Sequence, residues 1–416
     1  MTALQPSWQQ TRCVVCGTET RPLLDLGVQA PANTLLGDAG QAYAAFPLGL
    51  AVCPGCTHAQ LTHFVHPDSL FRSYLYASGT SGTLAAYFAW FAAALARCMK
   101  PGARVLEIAS NDGSHLSCLA AQGFDAMGID PARNLNDIAA AAGHKVLTGF
   151  FPDVRPDGRF DVVVAMNVAA HTPTPLRFLS GVADVLAPGG VAILQTSQAL
   201  MLGNGEFDTV YHEHYSFFTV ASMRALAARA GLRLEQVRLV AIHGTSLLLF
   251  LRRADETGPA NAFKGDHAFA ADWPDPEPAF LSPTFGGAQA QAAYAEFAAK
   301  AQGSMAAVAA RIAAHRAQGR QIALVGVAAK ALTFMRAAGI APDHYLDEAA
   351  LKIGRFVPGA RIPIAPLASV ASLTRDTVFV IGAWNFATEL IGKIASCKLA
   401  FRPRFLVYFP QLQEMQ

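Results

Sequence analysis

The sequence predicts an α/β protein in which a small cysteine-rich module precedes two domains, each built on a doubly wound, Rossmann-like sheet. Three observations carry that prediction. Residues 105–122 run from an apolar strand (Val105, Leu106, Ile108) through a polar turn (Asn111-Asp112-Gly113) into a helix-forming stretch, the order in which a doubly wound sheet presents its ligand site. The same order starts again at Gln321-Ile-Ala-Leu-Val-Gly-Val-Ala-Ala-Lys330. Ahead of both stand two paired motifs, Cys13-Val-Val-Cys16 and Cys53-Pro-Gly-Cys56.

A chain of 416 residues is long for one domain and fits two or three. With 52% hydrophobic and 15% charged residues it can bury large cores. Its 32 basic and 30 acidic residues leave a net charge of +2, too small to argue for nucleic acid or an anionic membrane surface. The most apolar window, Ala85 to Met99, is too short to span a bilayer and contains Arg97, and Met1 to Arg12 lacks the apolar centre of a signal peptide. The expectation is a cytoplasmic protein with a small-molecule substrate and no nucleic-acid or membrane partner; oligomeric state is not legible.

Residues 1–72 read as the cysteine module. Each CxxC turn aims two thiolates at one ion, and two turns close a tetrahedral shell, so Cys13, Cys16, Cys53 and Cys56 are expected to bind one structural zinc. Four thiolates leave no open position for a substrate. A disulfide pair and a redox CxxC are the competing readings; a cytoplasmic setting disfavours the first and the presence of two motifs the second. Cys98, Cys118 and Cys397 sit in apolar contexts and read as core residues.

Residues 73–253 read as the first doubly wound domain. Ala126-Met-Gly-Ile-Asp130 fits its second strand, and Asp130 falls about twenty residues beyond the turn, where an acid receives the two hydroxyls of a ribose. The loop lacks a full GxGxxG, which favours a nucleoside cofactor without a pyrophosphate, S-adenosylmethionine. Arg159 to Val168 reads as a further buried strand that ends in Asn167, at the ligand crevice. His171 follows in a turn with Thr172-Pro173. Tyr211-His-Glu-His-Tyr-Ser-Phe-Phe-Thr219 then packs two imidazoles, a carboxylate and two phenols into five residues, with Phe217-Phe218 to anchor them. Acid/base catalysis is the leading reading; a metal held by His212 and His214, or a purely structural role, stays open.

Glu107-Ile-Ala-Ser-Asn-Asp-Gly113 and Gly128-Ile-Asp-Pro131 resemble the cofactor motifs of class I methyltransferases, and specifically of the deoxysugar C-methyltransferases that methylate keto sugars carried on a nucleotide. The resemblance extends over nearly the whole chain. It implies that Glu107, Ala109, Ser110, Asn111, Asp112, Gly113, Asp130, Pro131 and Asn167 hold S-adenosylmethionine. The family's Tyr-x-Glu-His run, followed by Ser-aromatic-aromatic, maps onto Tyr211, Glu213 and His214 as catalytic residues, and its Asn-Val-x-x-His puts His171 at the active-site rim. Tyr74-Leu-Tyr-Ala-Ser78 resembles a segment that covers substrate and cofactor, which makes Tyr76 a substrate contact. His243-Gly-Thr-Ser246 resembles His-Gly-Gly-Ser, with Thr245 in place of a glycine, and brings His243 to the same pocket.

Such an enzyme must turn carbon into a nucleophile. His214 is the expected base that removes a proton beside a ketone, with Glu213 orienting the ring and Tyr211 near the enolate oxygen. Two other readings are a methyltransferase of the same fold acting on a non-sugar small molecule in secondary metabolism, and a zinc-containing scaffold protein with a degenerate cofactor site.

Residues 254–287, with Trp273-Pro-Asp-Pro-Glu-Pro278, read as a linker. Residues 288–416 open with a long helix whose apolar positions (Tyr294, Phe297, Ala301, Met305, Val308, Ile312) recur every three or four residues. The second doubly wound domain follows. Its turn could meet an anion through the helix N-terminus and Lys330. It resembles the family's Gly-Ala-x-Ala-Lys-Gly-x-Thr, as Val357 to Ile364 and Gly382-Ala-Trp-Asn-Phe386 resemble later motifs, so Lys330 is expected to bind the carrier end of the substrate. Ala331 and Leu332 depart from that pattern, where the diphosphate is expected.

Overall fold

The computed structural model describes residues 6–72, 78–80, 82–197, 199–256 and 278–416. Tyr76 and most of the 254–287 stretch lie outside the described residues. Among the described residues no helix is long and apolar enough to cross a membrane.

The central domain is a seven-stranded sheet. In chain order its strands are Arg104–Ile108, Asp125–Asp130, Lys145–Thr148, Phe160–Met166, Leu186–Thr196, Leu232–Val240 and Ser246–Arg253; in space they run third, second, first, fourth, fifth, seventh, sixth. The first five are parallel and the seventh is inserted antiparallel to the fifth. Val162, Val163 and Val164 are fully buried because helices cover both faces, which is why that strand reads as an unbroken apolar run. The chain reverses its direction of sheet growth between the first and fourth strands, the place where open α/β sheets hold ligands.

The C-terminal sheet repeats the plan. Its strands Gln321–Val325, His344–Asp347, Ile364–Pro366, Thr377–Ile381, Arg404–Val407 and Gln413–Met415 run third, second, first, fourth, fifth, sixth, all parallel except the last. The helix Gly287–Ala317 leads into it and buries Ala290, Tyr294, Phe297, Ala301, Val308 and Ile312 along one stripe. Met305, expected on that stripe, is only partly buried.

The cysteine module contributes Arg21–Gln29, Phe46–Val52 and Ala59–Leu61 to a four-stranded antiparallel sheet. Its fourth strand is Ser216–Phe217, donated by the central domain. One apolar cluster continues from Leu24, Leu26 and Phe46 of the module through Phe207, Val210 and Tyr215 to Phe334 and Tyr408 of the C-terminal domain. The segment singled out as catalytic therefore passes through the junction of all three parts. Cys98, Cys118 and Cys397 are half-buried at core edges, not inside, because each sits on a surface helix or its end.

Candidate active site

The carboxyl ends of both parallel sheets border one cleft of about 1310 Å³, lined by Ile108 to Asn111, Asp130 and Asn167 on one side and by Val325 to Lys330 and Asp347 on the other. That exceeds the usual size of a single-ligand pocket and accommodates two ligands. Four residues on its wall, Ala109, Asn111, Asn167 and His243, hold left-handed backbone without being glycine (φ 51–59°). Such conformations cost energy and concentrate where side chains must be aimed.

On the central-domain side, Asp130 is buried at the end of its strand. Its Oδ2 accepts from the Asn111 amide at 3.0 Å and its Oδ1 from the Ala132 amide at 2.8 Å, which leaves further lone pairs for ligand hydroxyls. Burial pushes its pKa up to about 6. Glu107 Oε1 pairs with His115 Nδ1 at 2.8 Å, while its Oε2 and Ser110 Oγ are buried without hydrogen-bond partners among the described residues. An orphaned carboxylate oxygen beside a second buried acid with free lone pairs fits the ammonium and nucleoside ends of S-adenosylmethionine. Pro131 lines the same wall. Asn167 lies there too, its Oδ1 accepting from Gln195 Nε2 at 3.2 Å and the Ser197 amide at 3.1 Å.

Asp112 and Gly113 do not reach the cleft surface. Asp112 Oδ2 instead accepts from the Gly79 amide at 2.8 Å, and Asn111 Oδ1 from the Ser78 amide at 2.9 Å, so the 78–80 turn is fastened over the loop. Gly113 (φ 79°) turns the chain into the helix Ser114–Ala121, where a Cβ would lie 2.9 Å from Ala139 and His144.

The segment Tyr211 to Thr219 packs against both halves. Its turn is closed by the His214 amide on the Tyr211 carbonyl at 2.9 Å, and the Tyr215 amide bonds Ala170 of the central domain at 2.8 Å. His214 Nδ1 donates to the Thr209 carbonyl at 2.8 Å; Nε2 therefore is the acceptor nitrogen and faces the Tyr211 hydroxyl at 3.0 Å. The His171 ring meets His214 edge-on at 4.8 Å. Burial, His171, Lys330 and His243 together hold the His214 pKa well below its usual value, so it is neutral. Burial likewise pushes His171 and His243 down to about 4.

Glu213 does not orient His214. Its Oε1 accepts from the Asn33 amide at 3.2 Å and from Asn33 Nδ2 at 3.0 Å, and burial raises its pKa. The reason is local: side chains at successive positions of the turn diverge, and the backbone carbonyl of Thr209 takes the place expected of the carboxylate. His212 packs edge-on against Phe46 in the module, away from the cleft. Among the described residues the only group of three or more His, Cys, Asp or Glu arranged to share an ion is the cysteine quartet.

The C-terminal side mirrors the cofactor side. Gly326 and Ala109 each follow a first strand in left-handed conformation and donate to the residue before the acid of the second strand, Leu346 at 2.8 Å and Ile129 at 2.7 Å. Asp347 accepts from the Val327 amide on Oδ2 and the Ala349 amide on Oδ1, both at 2.8 Å, as Asp130 does from Asn111 and Ala132. One difference is Lys352, whose Nζ sits 3.0 Å from Asp347 Oδ2. Lys330 lies at the uncapped start of the helix Ala329–Ala337, 4.9 Å over the Trp384 ring and 3.9 Å from Glu206. Ala331 and Leu332 point into the core, and a Cβ on Gly382 would stand 2.6 Å from Ala331. Their departure from the family pattern thus alters packing and not the wall facing a ligand.

The four sulfurs of Cys13, Cys16, Cys53 and Cys56 lie within 4.8 Å of one another, with Cys13 to Cys56 at 3.6 Å and Cys16 to Cys53 at 3.4 Å. These spacings are far beyond a disulfide bond and near the roughly 3.8 Å edge of a tetrahedron with Zn–S of about 2.3 Å. Amides of Val15 and Cys56 donate to Cys13 Sγ and Cys53 Sγ, a pattern that supports thiolates. The donor set fits zinc.

Asn33, Thr209 and Asp208 are not legible as site residues, and Trp384 is legible only as part of the Gly382 to Phe386 motif, without a role. Asn33 stands in a featureless Pro-Ala-Asn, and a carbonyl acceptor leaves no trace in side-chain chemistry. Asp347 was within reach: it follows the second turn at the spacing already used for Asp130.

Residues 13–71 match a family described as a zinc binding domain, residues 82–237 a methyltransferase domain, and residues 284–410 a C-methyltransferase C-terminal domain. The chain is 29% identical over 417 residues to the C-methyltransferase NovU of Streptomyces niveus, covering 96% of this chain and 95% of that protein. It is 29% identical over 164 residues to a ubiquinone biosynthesis O-methyltransferase of Azorhizobium caulinodans, covering 34% of this chain and 64% of that protein. The solved magnesium protoporphyrin IX methyltransferase of Synechocystis PCC 6803 aligns with 42% of this chain and 79% of its own, at a TM-score of 0.31 and 16% identity.

Proposed function

We infer, for a chain that belongs to the S-adenosylmethionine-dependent C-methyltransferases with an N-terminal zinc-binding module, that it methylates the carbon beside the ketone of a nucleotide-linked keto-deoxysugar. The observation that carries this reading is the setting of His214: a neutral imidazole with its Nδ1–H held by Thr209, its accepting Nε2 facing Tyr211, in the one cleft that the Asp130 and Asp347 cradles also line.

Asp130, Glu107, Ser110, Asn111 and Pro131 would hold S-adenosylmethionine, which supplies an electrophilic methyl group. The chain's own residues must make the nucleophile. As the α-proton leaves carbon, the Tyr211 oxygen accepts it while passing its hydroxyl proton to His214 Nε2, and the Thr209 carbonyl stabilises the resulting imidazolium through Nδ1–H. Lys330 and His243 disfavour that cation; an anionic substrate offsets their effect, so proton removal is coupled to substrate binding. His243 borders the space where enolate charge develops and its neutral imidazole supplies a hydrogen-bond donor for it, while His171 closes the wall beside His214. The Asp347 cradle, the uncapped helix start and Lys330 suit a nucleoside and its phosphates.

The test is methyl transfer from labelled S-adenosylmethionine to a nucleotide-linked keto-deoxysugar, compared with the same sugar freed of its carrier. Carbon methylation of the linked sugar alone supports the reading. Methylation at oxygen, or equal rates with and without the carrier, contradicts it.

A further inference from the structure

We propose that Asp208 and Trp384 are positioning residues that hold the general base from the C-terminal domain: the Trp384 indole fixes Asp208, and through it the Thr209 carbonyl that sets the tautomer of His214.

Trp384 belongs to the C-terminal domain, in the short turn Trp384–Phe386 after the strand Thr377–Ile381. Its Nε1 donates to Asp208 Oδ2 at 2.9 Å. Asp208 is fully buried, and among the described residues its second oxygen has no hydrogen-bond partner and the indole is the one side-chain donor to this carboxylate. Asp208 lies in the single turn Phe207–Thr209, whose Phe207 is clamped between Phe334 at 5.1 Å and Phe409 at 6.0 Å of the C-terminal domain. The next residue is Thr209, whose carbonyl accepts from His214 Nδ1. A buried carboxylate with half its hydrogen-bonding unsatisfied contributes no net stability by itself. What it can do is fix a turn, because moving the turn breaks the bond that shields its charge. Two hydrogen bonds joined by the Asp208–Thr209 peptide thus lead from one domain's indole to another's base without a flexible side chain in between other than Asp208 itself.

Charged and titratable groups around this path are Lys330 and Glu206, which face Asp208, and His171, His243, Lys330 and Tyr211, which face His214. Lys330 also lies over the Trp384 ring, so the clamp and the cradle for the substrate's carrier share one residue.

The inference rests on His214 being the base, but its test does not need the substrate. Nitrogen-15 shifts of labelled histidines, with His214 assigned by His214→Asn, report which ring nitrogen carries the proton. In the parent His214 is the Nδ1–H tautomer. Trp384→Phe should turn it into a mixture of tautomers, while binding of S-adenosylmethionine by calorimetry changes less than about threefold. Asp208→Asn, which keeps an acceptor oxygen for the indole, should retain the parent tautomer. Should Trp384→Phe not fold, a benzothienylalanine at position 384 removes only the N–H and keeps the ring. An unchanged tautomer once the N–H is gone, or an Asp208→Asn protein as disturbed as the one lacking the N–H, overturns the proposal. In turnover, loss of one hydrogen bond to a charged group corresponds to roughly ten- to a hundredfold in kcat with KM little altered. If the tautomer shifts but turnover does not, the clamp stands and His214 is not the base.

Discussion

The carbonyl oxygen of Thr209 lies 2.8 Å from His214 Nδ1, and this one contact decides which nitrogen of the imidazole can accept a proton. Three separate parts of the chain hold the segment around it. Phe207 and Asp208 tie it to the C-terminal domain, Ala170 to the central domain, and the strand Ser216–Phe217 to the zinc-binding module. The position and tautomer of His214 therefore depend on residues far from it in sequence.

The zinc-binding module should matter for turnover as well as for stability, because its sheet includes Ser216–Phe217. Elemental analysis should find one zinc per chain in the parent and little in Cys16→Ser. The same variant should melt at a lower temperature and lose turnover. Full metal content in Cys16→Ser contradicts the assignment.

Asp130→Ala should weaken S-adenosylmethionine binding by roughly ten- to a hundredfold, the cost of losing a charged acceptor of two hydroxyls. Burial has raised the Asp130 pKa to about 6. The ionised form is the better acceptor, so parent affinity should climb from about pH 5 to 7 and then level off, a rise that Asp130→Asn abolishes. Calorimetry across that range checks both points; affinity flat with pH in the parent counts against them.

Glu213→Gln should lower kcat far less than His214→Asn, by under about tenfold against 10²- to 10⁴-fold for a lost base. Gln keeps an oxygen for the Asn33 amide and side chain, which is the work the structure gives Glu213. Equal losses in the two variants would restore the carboxylate to a direct part in proton transfer.

Lys330→Ala should raise KM for a nucleotide-linked substrate and leave the affinity for S-adenosylmethionine unchanged, since Lys330 lies on the C-terminal wall of the cleft. A change in cofactor affinity with unaltered KM would reassign that wall.

Much of this architecture is legible in the sequence where a local rule operates. Val105 to Gly113 and Gln321 to Lys330 announce their strands because apolar runs, polar turns and helix starts are local signals, and Asp130 is found by spacing. The cysteine quartet is found because tetrahedral ligation constrains each pair. What escapes is whatever depends on which segments meet. Nothing in Pro31-Ala-Asn33 says that it reaches Glu213, 180 residues away, and nothing in Phe207-Asp208-Thr209 says that an indole at 384 meets it. The carboxylate of Glu213 escapes for the same reason: proximity in sequence places it next to His214, while the turn directs it to Asn33 and a backbone carbonyl meets the imidazole. The departures at Ala331 and Leu332 looked functional from sequence because they adjoin Lys330, yet helical periodicity turns them into the core.

In the proposed reaction His214, acting through Tyr211, takes up the proton equivalent lost from carbon before methyl transfer, and the most direct measurement separates those two steps. The protein is incubated in deuterium oxide with a nucleotide-linked keto-deoxysugar and the demethylated cofactor, and deuterium at the carbon beside the ketone is followed by mass spectrometry. The parent should exchange that position without methylating it, and His214→Asn should exchange it 10²- to 10⁴-fold more slowly, a range of about 3 to 5 kcal/mol, while binding cofactor normally. Exchange at the parent rate in the His214→Asn protein would contradict the account.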